Sequence, residues 1–599
     1  MRGILSSFLL LMSVSATAGI ATIGPSADCN YVATGANNAI AQALADGRRD
    51  LRIVADTRNA GSAGTILSTA SPSLSIRGGY SDCAAAAAGV DPAPAARSRW
   101  QASEAQTLMA VLHFSAERVT FRLSGFTLEP APDASTFAAN GGALVIGGPV
   151  DATLENVEMA GFRAVDRGGA LMISSQADVR LLNTQIEQSR AARGGGIACE
   201  NAFLWMDADS RLFWNYAAMD GIPGQEEKGV GGGAFLEGCV MFSESRVDET
   251  GSPLSGGVSY NQAVRSGGGM ALKDSGVVML GGMNCYVTPA ARCRSTLATM
   301  IGNTAGGYGG AVHADNSVMH FAFANVSANT ATHHGGGFAG TNNSRLMLDG
   351  TAEGGPRDFC LRNGACAKMN YNRAGSPPAY AGEGGAISLQ ASEADIFDAV
   401  LEDNVSDVGS SVALGSVSAM RIYQGALIQR NPTPVQPLRS MIFVGLNSSL
   451  SMHQSTAILD GATSPDTTGM VVLADGATFY PVSNVLFSRG APLLQAQPLA
   501  SIQSEWCNAV SDPLLMASLD AVHITGADFE NALRPLRPAT NGAMVDICES
   551  KLDLGYTDLE GMPRVVPVIP GRDDTPLDAG AYEVQNDIVF SDGFEATVE

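Results

Sequence analysis

One phrase recurs along the middle of this 599-residue chain and limits what it can fold into. In Met300–Asp315, MIGNTAGGYGGAVHAD, an aliphatic residue precedes an Asn, a glycine cluster follows, and alternating apolar residues close the phrase. Aligned on the Asn, VSYN at Val258–Asn261 leads to Gly267-Gly268-Gly269, and MIGN leads to Gly309-Gly310. VSAN at Val326–Asn329 leads to Gly335-Gly336-Gly337, and LEDN at Leu401–Asn404 leads to the weakened Gly409-Ser410-Ser411. LFWN and MNYN carry inserts before Gly231-Gly232-Gly233 and Gly384-Gly385, and two earlier copies put Phe162 and either Gln188 or Ser189 in place of the Asn. Copies about 25 residues apart signal a solenoid.

The residues after each cluster alternate as a strand does. In Ala311-Val312-His313-Ala314 the second and fourth positions are apolar and face a core, and the third faces outward. A second short strand follows, as in Val318–Phe321, and a third enters the next Asn. Three short strands per repeat predict one coil of a right-handed parallel β-helix, an all-β fold in which coils bury their apolar faces by stacking. Asn261, Asn303, Asn329 and Asn404 are then corner residues that bond from coil to coil. Gly268, Gly310, Gly336 and Gly385 provide the positive φ or close backbone approach that corners need.

The paired GGA-aliphatic and x-x-Asn elements, from Asn140 to Leu414, resemble the repeats of chlamydial polymorphic outer-membrane proteins and related bacterial β-helix proteins. Here Met300, Val326, Val258, Leu401, Leu212 and Met369 stand where that family has Phe. Members of that family end in an outer-membrane β-barrel, for which this sequence shows no counterpart. The resemblance implies the fold and a secreted or cell-surface setting.

The rest of the chain reads as flanking parts. Residues 1–18 read as a secretory signal peptide, with Arg2, an apolar run from Ile4 to Val14 and Ala16-Thr17-Ala18. No later stretch is long enough to span a membrane as a helix. Residues 19–105 form an N-terminal cap and lead-in, with a short helix over Asn37–Asp46 capped by Asn37 or Asn38 and an exposed Ala/Pro-rich loop over Ala84–Pro94. Residues 106–414 are the glycine-rich coils and 415–510 are degenerate coils. Residues 511–585 resemble the C-terminal closure of secreted bacterial β-helix proteins, and 586–599 resemble a short tail of secreted gammaproteobacterial proteins. Inserts at 220–230, 282–295, 350–368 and 374–383 are candidate recognition loops.

Ten cysteines without a CxxC argue for disulfides in an oxidising compartment. Cys285–Cys293 and Cys360–Cys366 are expected as loop staples, and proximity in sequence pairs Cys29 with Cys83, Cys199 with Cys239 and Cys507 with Cys548. A formal net charge of -23 excludes nucleic acid and anionic membranes as natural partners. Glycosidases need facing carboxylates, and pectate-type lyases need an acidic calcium site with a base. The outward positions, read as Val145, Met172, Ala198, Leu236, Ala271, His313, Ala339 and Ser388, hold no carboxylate, Lys or Arg. His313, His320, His333 and His334 are the one concentration of histidines, but their placement on different strands and a turn argues against a shared metal. Glu226-Glu227 and Asp573-Asp574 lack the spacing of a calcium loop. The expectation is a monomeric, secreted bacterial interaction or adhesin-like module for a glycan, matrix or host-cell surface, with no cofactor and no catalytic residues. The alternative is a polysaccharide lyase or glycosidase with its site on another face or in the inserts.

Overall fold

The computed structural model describes residues 19–544 except 70–71, 94–95, 103–105, 131–137, 219–227, 245, 248–252, 255–256, 285–293, 297, 351–366, 377–381, 431–438, 461–467, 505–506, 530–538 and 540–542. Within them the chain is an all-β parallel solenoid. A 31-stranded and a 14-stranded sheet run along the solenoid and a 6-stranded sheet spans only the coils from Arg190 to Ala374, each stacking successive coils in parallel register. The strands after the glycine clusters make the 14-stranded sheet: Met270–Lys273 pairs with Val312–Asp315, which pairs with Phe338–Thr341. The strands before each Asn pair in the longest sheet, as Ala298–Ile301 does with Ala324–Ser327. Short strands after the Asn, such as Thr304–Ala305, form the six-stranded sheet.

The core fills by strand alternation. Val312, Ala314, Met319, Phe321 and Val326 are all fully buried within about one turn of chain. The core is continuous from Ala21 to Leu519. No single coil could bury these side chains, so each coil depends on its neighbours.

The Asn ladder is the second source of order. Asn215, Asn261, Asn303, Asn329, Asn372 and Asn404 are buried in register, each Nδ2 donating to the next residue's Oδ1 at 2.9–3.1 Å. Each Oδ1 also accepts a backbone N–H, as Asn303 Oδ1 does from Asn261 N at 2.9 Å. In the earlier coil it is Ser189 that occupies the ladder site, its N–H donating to Asn215 Oδ1, while Gln188 takes the left-handed corner beside it. The ladder resumes at Asn484 and Asn508, which the sequence reading passed over. A second ladder was also missed. Ser275, Ser317, Ser344, Ser392, Ser418 and Ser448 stack at another corner, each backbone N–H donating to the next hydroxyl.

At the N-terminus, Asn38 caps the helix Ala39–Ala45 by accepting from Ala41 N, and Ile40, Ala43 and Leu44 face the core. A strand, Ile20–Gly24, precedes that helix and pairs with Asp50–Val54, so the solenoid begins earlier than the sequence suggested. The expected loop over Ala84–Pro94 is in its first part a helix, Cys83–Ala88, capped by Asp82 and closed by Gly89 at φ 75°. Six residues with five alanines satisfy helix propensity, which the Pro-rich tail had masked.

Cys29 and Cys83 form a disulfide with Cα atoms 5.4 Å apart, tying that helix to the first strand. Cys199 and Cys239 form another, Cα atoms 6.2 Å apart, inside the core between adjacent coils. Cys507 is also disulfide-bonded. The expected Cys285–Cys293 and Cys360–Cys366 pairs, Cys548, most of the four inserts, both acid clusters, the signal segment and the tail lie outside the described residues. No helix among the described residues is long and apolar enough to cross a membrane.

Candidate functional site

The first glycine of each cluster shapes the surface. Gly231, Gly267, Gly309, Gly335 and Gly384 all lie between φ +64° and +70°. A side chain at Gly309 would press on the backbone N of His313 at 2.5 Å. The second glycine meets a different need: a Cβ on Gly268 would stand 2.5 Å from the Thr304 carbonyl carbon of the next coil. This left-handed turn folds the residue before the cluster back beside the strand after it. Two rows of side chains therefore stand over one strand face.

The result is a cleft of about 500 Å³ that runs along the solenoid axis. Its floor is one in-register row: Phe235, Ala271, His313, Ala339 and Ser388. One wall is the row Val230, Ser266, Tyr308, His334 and Glu383. The other wall ends the strands, with Lys273, Asp315, Thr341 and Gln390. Five coils at about 4.8 Å make the cleft roughly 19 Å long.

This geometry corrects two sequence readings. The outward residue in its coil is Phe235, not Leu236, which pairs with Cys199 and Leu272 and is wholly buried. Ala234 follows the glycines as Ala311 does, but Gly233 holds the place of Ala311 here and Ala234 that of Val312, so counting from Ala234 slips the phase by one residue and exchanges the two faces. The histidines do come together in part. Tyr308 lies between His313, at 5.7 Å between ring centroids, and His334, stacked at 5.1 Å and 18°. His333 meets the edge of the same tyrosine at 6.3 Å. His320 sits apart, on a strand of the longest sheet paired with Val278 and Met347. Among the described residues no group of three or more His, Cys, Asp or Glu is placed to hold a metal ion.

The strand-position criterion saw no charge because the charges stand on the walls. His334 Nδ1 lies 3.4 Å from Glu383 Oε2, and this contact holds the Glu383 carboxyl below its ordinary range against the opposing effect of burial. Asp315 accepts from Asn342 Nδ2 at 2.7 Å, and Lys273 pairs with Glu237 at 3.0 Å. Exposed Arg265 stands at the mouth. Desolvation on the floor depresses the His313 imidazole to about 4; Asp315 opposes this and Arg265 adds to it. His313 is thus neutral near pH 7, one ring nitrogen a donor and the other an acceptor.

The other singled-out residues have structural surroundings: Asn261, Asn303, Asn329 and Asn404 are in the buried ladder, and Gly268, Gly310, Gly336 and Gly385 are packed against neighbouring coils. Fold and cleft together define a class: a parallel β-solenoid with an axial cleft of aromatic, imidazole and rim carboxylate groups. No protein-family model, curated protein or solved structure matches the chain.

Proposed function

We propose that this chain is a secreted or surface-exposed interaction module whose axial cleft binds a glycan. The observation that carries this reading is the cleft itself, with a largely apolar floor, a partly exposed Tyr308–His334 stack and polar rims in register over five coils. Extended apolar grooves with a few placed polar groups are how ligands are held and oriented. The coil spacing is close to the rise of one sugar unit in an extended chain, so each coil can meet one unit. Export is supported by the disulfides, by the signal pattern of residues 1–18 and by the resemblance to surface proteins.

A polysaccharide-cleaving reading draws on the neutral His313 beside Tyr308 and Arg265. Its depressed pKa makes it a weak base, and the close contact with His334 holds the Glu383 carboxyl below its ordinary range, which disfavours it as a proton donor. Binding without turnover fits these groups better.

The test offers purified mature protein a panel of acidic and neutral polysaccharides, with and without Ca²⁺. Retention on at least one, lost in Tyr308→Ala, with no new reducing ends or unsaturated products, is the expected result. Turnover would replace the module reading with an enzyme; no retention on any polysaccharide or cell surface would remove it.

A further inference from the structure

The residue before each ladder Asn occupies a left-handed corner. In coil order from Gln188, which precedes the ladder's Ser189, to Asp403 these residues are Gln188, Trp214, Tyr260, Gly302, Ala328, Tyr371 and Asp403, with φ between 49° and 69°; Ser483 and Cys507 hold the same corner before Asn484 and Asn508. Their register is fixed by backbone bonds, including Trp214 N to Ser259 O, Tyr260 N to Ile301 O and Tyr371 N to Glu402 O. A bulky residue at positive φ is unfavourable, and an exposed aromatic ring adds to the cost. The fold does not demand rings here, because the same corner elsewhere accepts Gln, Gly, Ala and Asp. Yet Trp214, Tyr260 and Tyr371 are 56%, 55% and 52% exposed.

Their placement along the axis is informative. The five coils from Trp214 to Tyr371 are the coils that carry Val230, Ser266, Tyr308, His334 and Glu383 in the cleft wall. The coils beyond, at Gln188 and Asp403, carry no ring at this corner. Rings and cleft begin and end together, on either side of the short six-stranded sheet. Gly302 gives the edge of the Tyr260 ring a seat, since a Cβ there would lie 2.7 Å from Tyr260 Cδ1 and Cε1.

We propose that Trp214, Tyr260 and Tyr371 form a second glycan-contacting strip whose rings stack on the apolar C–H faces of pyranose units in a neutral polysaccharide chain. This rests on the glycan reading of the cleft for its ligand class, but on separate residues. A slender ligand fits better than a protein. A line of three partly exposed rings is far short of the roughly 800 Å² per partner of a stable protein interface. Net charge of -23 disfavours a polyanion, and exposed Gln262, Thr304 and Arg373, two residues beyond the corner, supply polar partners for hydroxyls.

The experiment is electrophoresis through gels containing hydroxyethylcellulose, galactomannan or starch, with polygalacturonate as the anionic control. Trp214→Gln/Tyr260→Ala places at each corner a residue type that the same corner already holds, so its melting temperature should stay near that of the parent. The parent protein is expected to be retarded by at least one neutral polymer. The double variant should bind at least about tenfold more weakly, as when exposed aromatic anchors are removed. Trp214→Phe/Tyr260→Phe should retain most of the binding. Parent-like retardation of the double variant, or no retardation of the parent by any neutral polymer, overturns the proposal. Loss in the corner variant but not in Tyr308→Ala would uphold the strip and reject the cleft; the reverse would uphold the cleft alone.

Discussion

Asn261 donates from Nδ2 to Oδ1 of Asn303 at 3.1 Å, and its backbone N–H donates to that same oxygen at 2.9 Å. One carbonyl oxygen thus satisfies two buried donors of the coil before it, and Asn303 Nδ2 returns a bond to Val258 O at 2.9 Å. Asn303→Ala would take this partner from the Asn261 backbone N–H, from one Nδ2 hydrogen of Asn261 (the other donates to Leu212 O) and from the Val258 carbonyl, in a site with no solvent access. Each orphaned buried group costs about 1–3 kcal/mol, so the variant should lose about 3 kcal/mol or more. A lower denaturant midpoint checks this. A midpoint within error of the parent would mean that the ladder follows from the fold and does not hold it.

Gly309 and Gly276 make a matched pair. At Gly309 φ is +65° and a Cβ would meet His313 N at 2.5 Å; at Gly276 nothing lies within 4 Å of the added atom. Gly309→Ala should destabilise by about 2 kcal/mol, from left-handed strain plus the clash, and should distort the cleft beside Tyr308. Gly276→Ala should be neutral or stabilise by about 0.5 kcal/mol through the unfolded chain. Thermal melts of the two variants, with retention on the binding polysaccharide, separate these outcomes. Equal effects would contradict this account of the cluster.

The Cys199–Cys239 bond closes a separation of 40 residues within the core. Chain entropy alone assigns such a loop about 4 kcal/mol, so Cys199→Ala/Cys239→Ala should melt at a clearly lower temperature than the parent. Thiol titration of denatured, unreduced protein should find almost no free thiol, and peptide mapping should link Cys507 to Cys548. Several reactive thiols, or another partner for Cys507, would break the expected pairing.

The coil was legible because it is written in a short-range code. The spacing from Asn303 to Gly309-Gly310, then alternation through Val312 and Ala314, demands a corner, a turn and a strand. The serine ladder at Ser275 and Ser317 has a comparable spacing, but serine is common in turns and carries no glycine landmark. The cleft was harder to see. Tyr308, His313, His334 and Glu383 belong to three coils, and only the left-handed turn at each first glycine puts their rows face to face. Phe235 was missed for a smaller reason, a one-residue phase slip, because Ala234 looks like Ala311 in the phrase but stands in register with Val312.

His313 gives the pH prediction. Its folded value, about 4, lies below the ordinary 6.5 because desolvation disfavours the charged ring, with Arg265 adding to the effect and Asp315 opposing it. Between those values the unfolded chain binds the proton and the folded chain does not, so stability falls as pH drops from 6.5 toward 4 and levels off below. The full shift corresponds to at most about 3 kcal/mol. Other groups titrate in the same window, so the readout is a difference between two proteins. His313→Gln keeps a neutral polar side chain on the cleft floor and removes the titration. From pH 7 to pH 4 the parent should lose more thermal stability than His313→Gln, while near pH 7 the two should respond alike to small changes in pH. Parallel curves across the whole range would show that the imidazole protonates freely and that the floor of the cleft is wet.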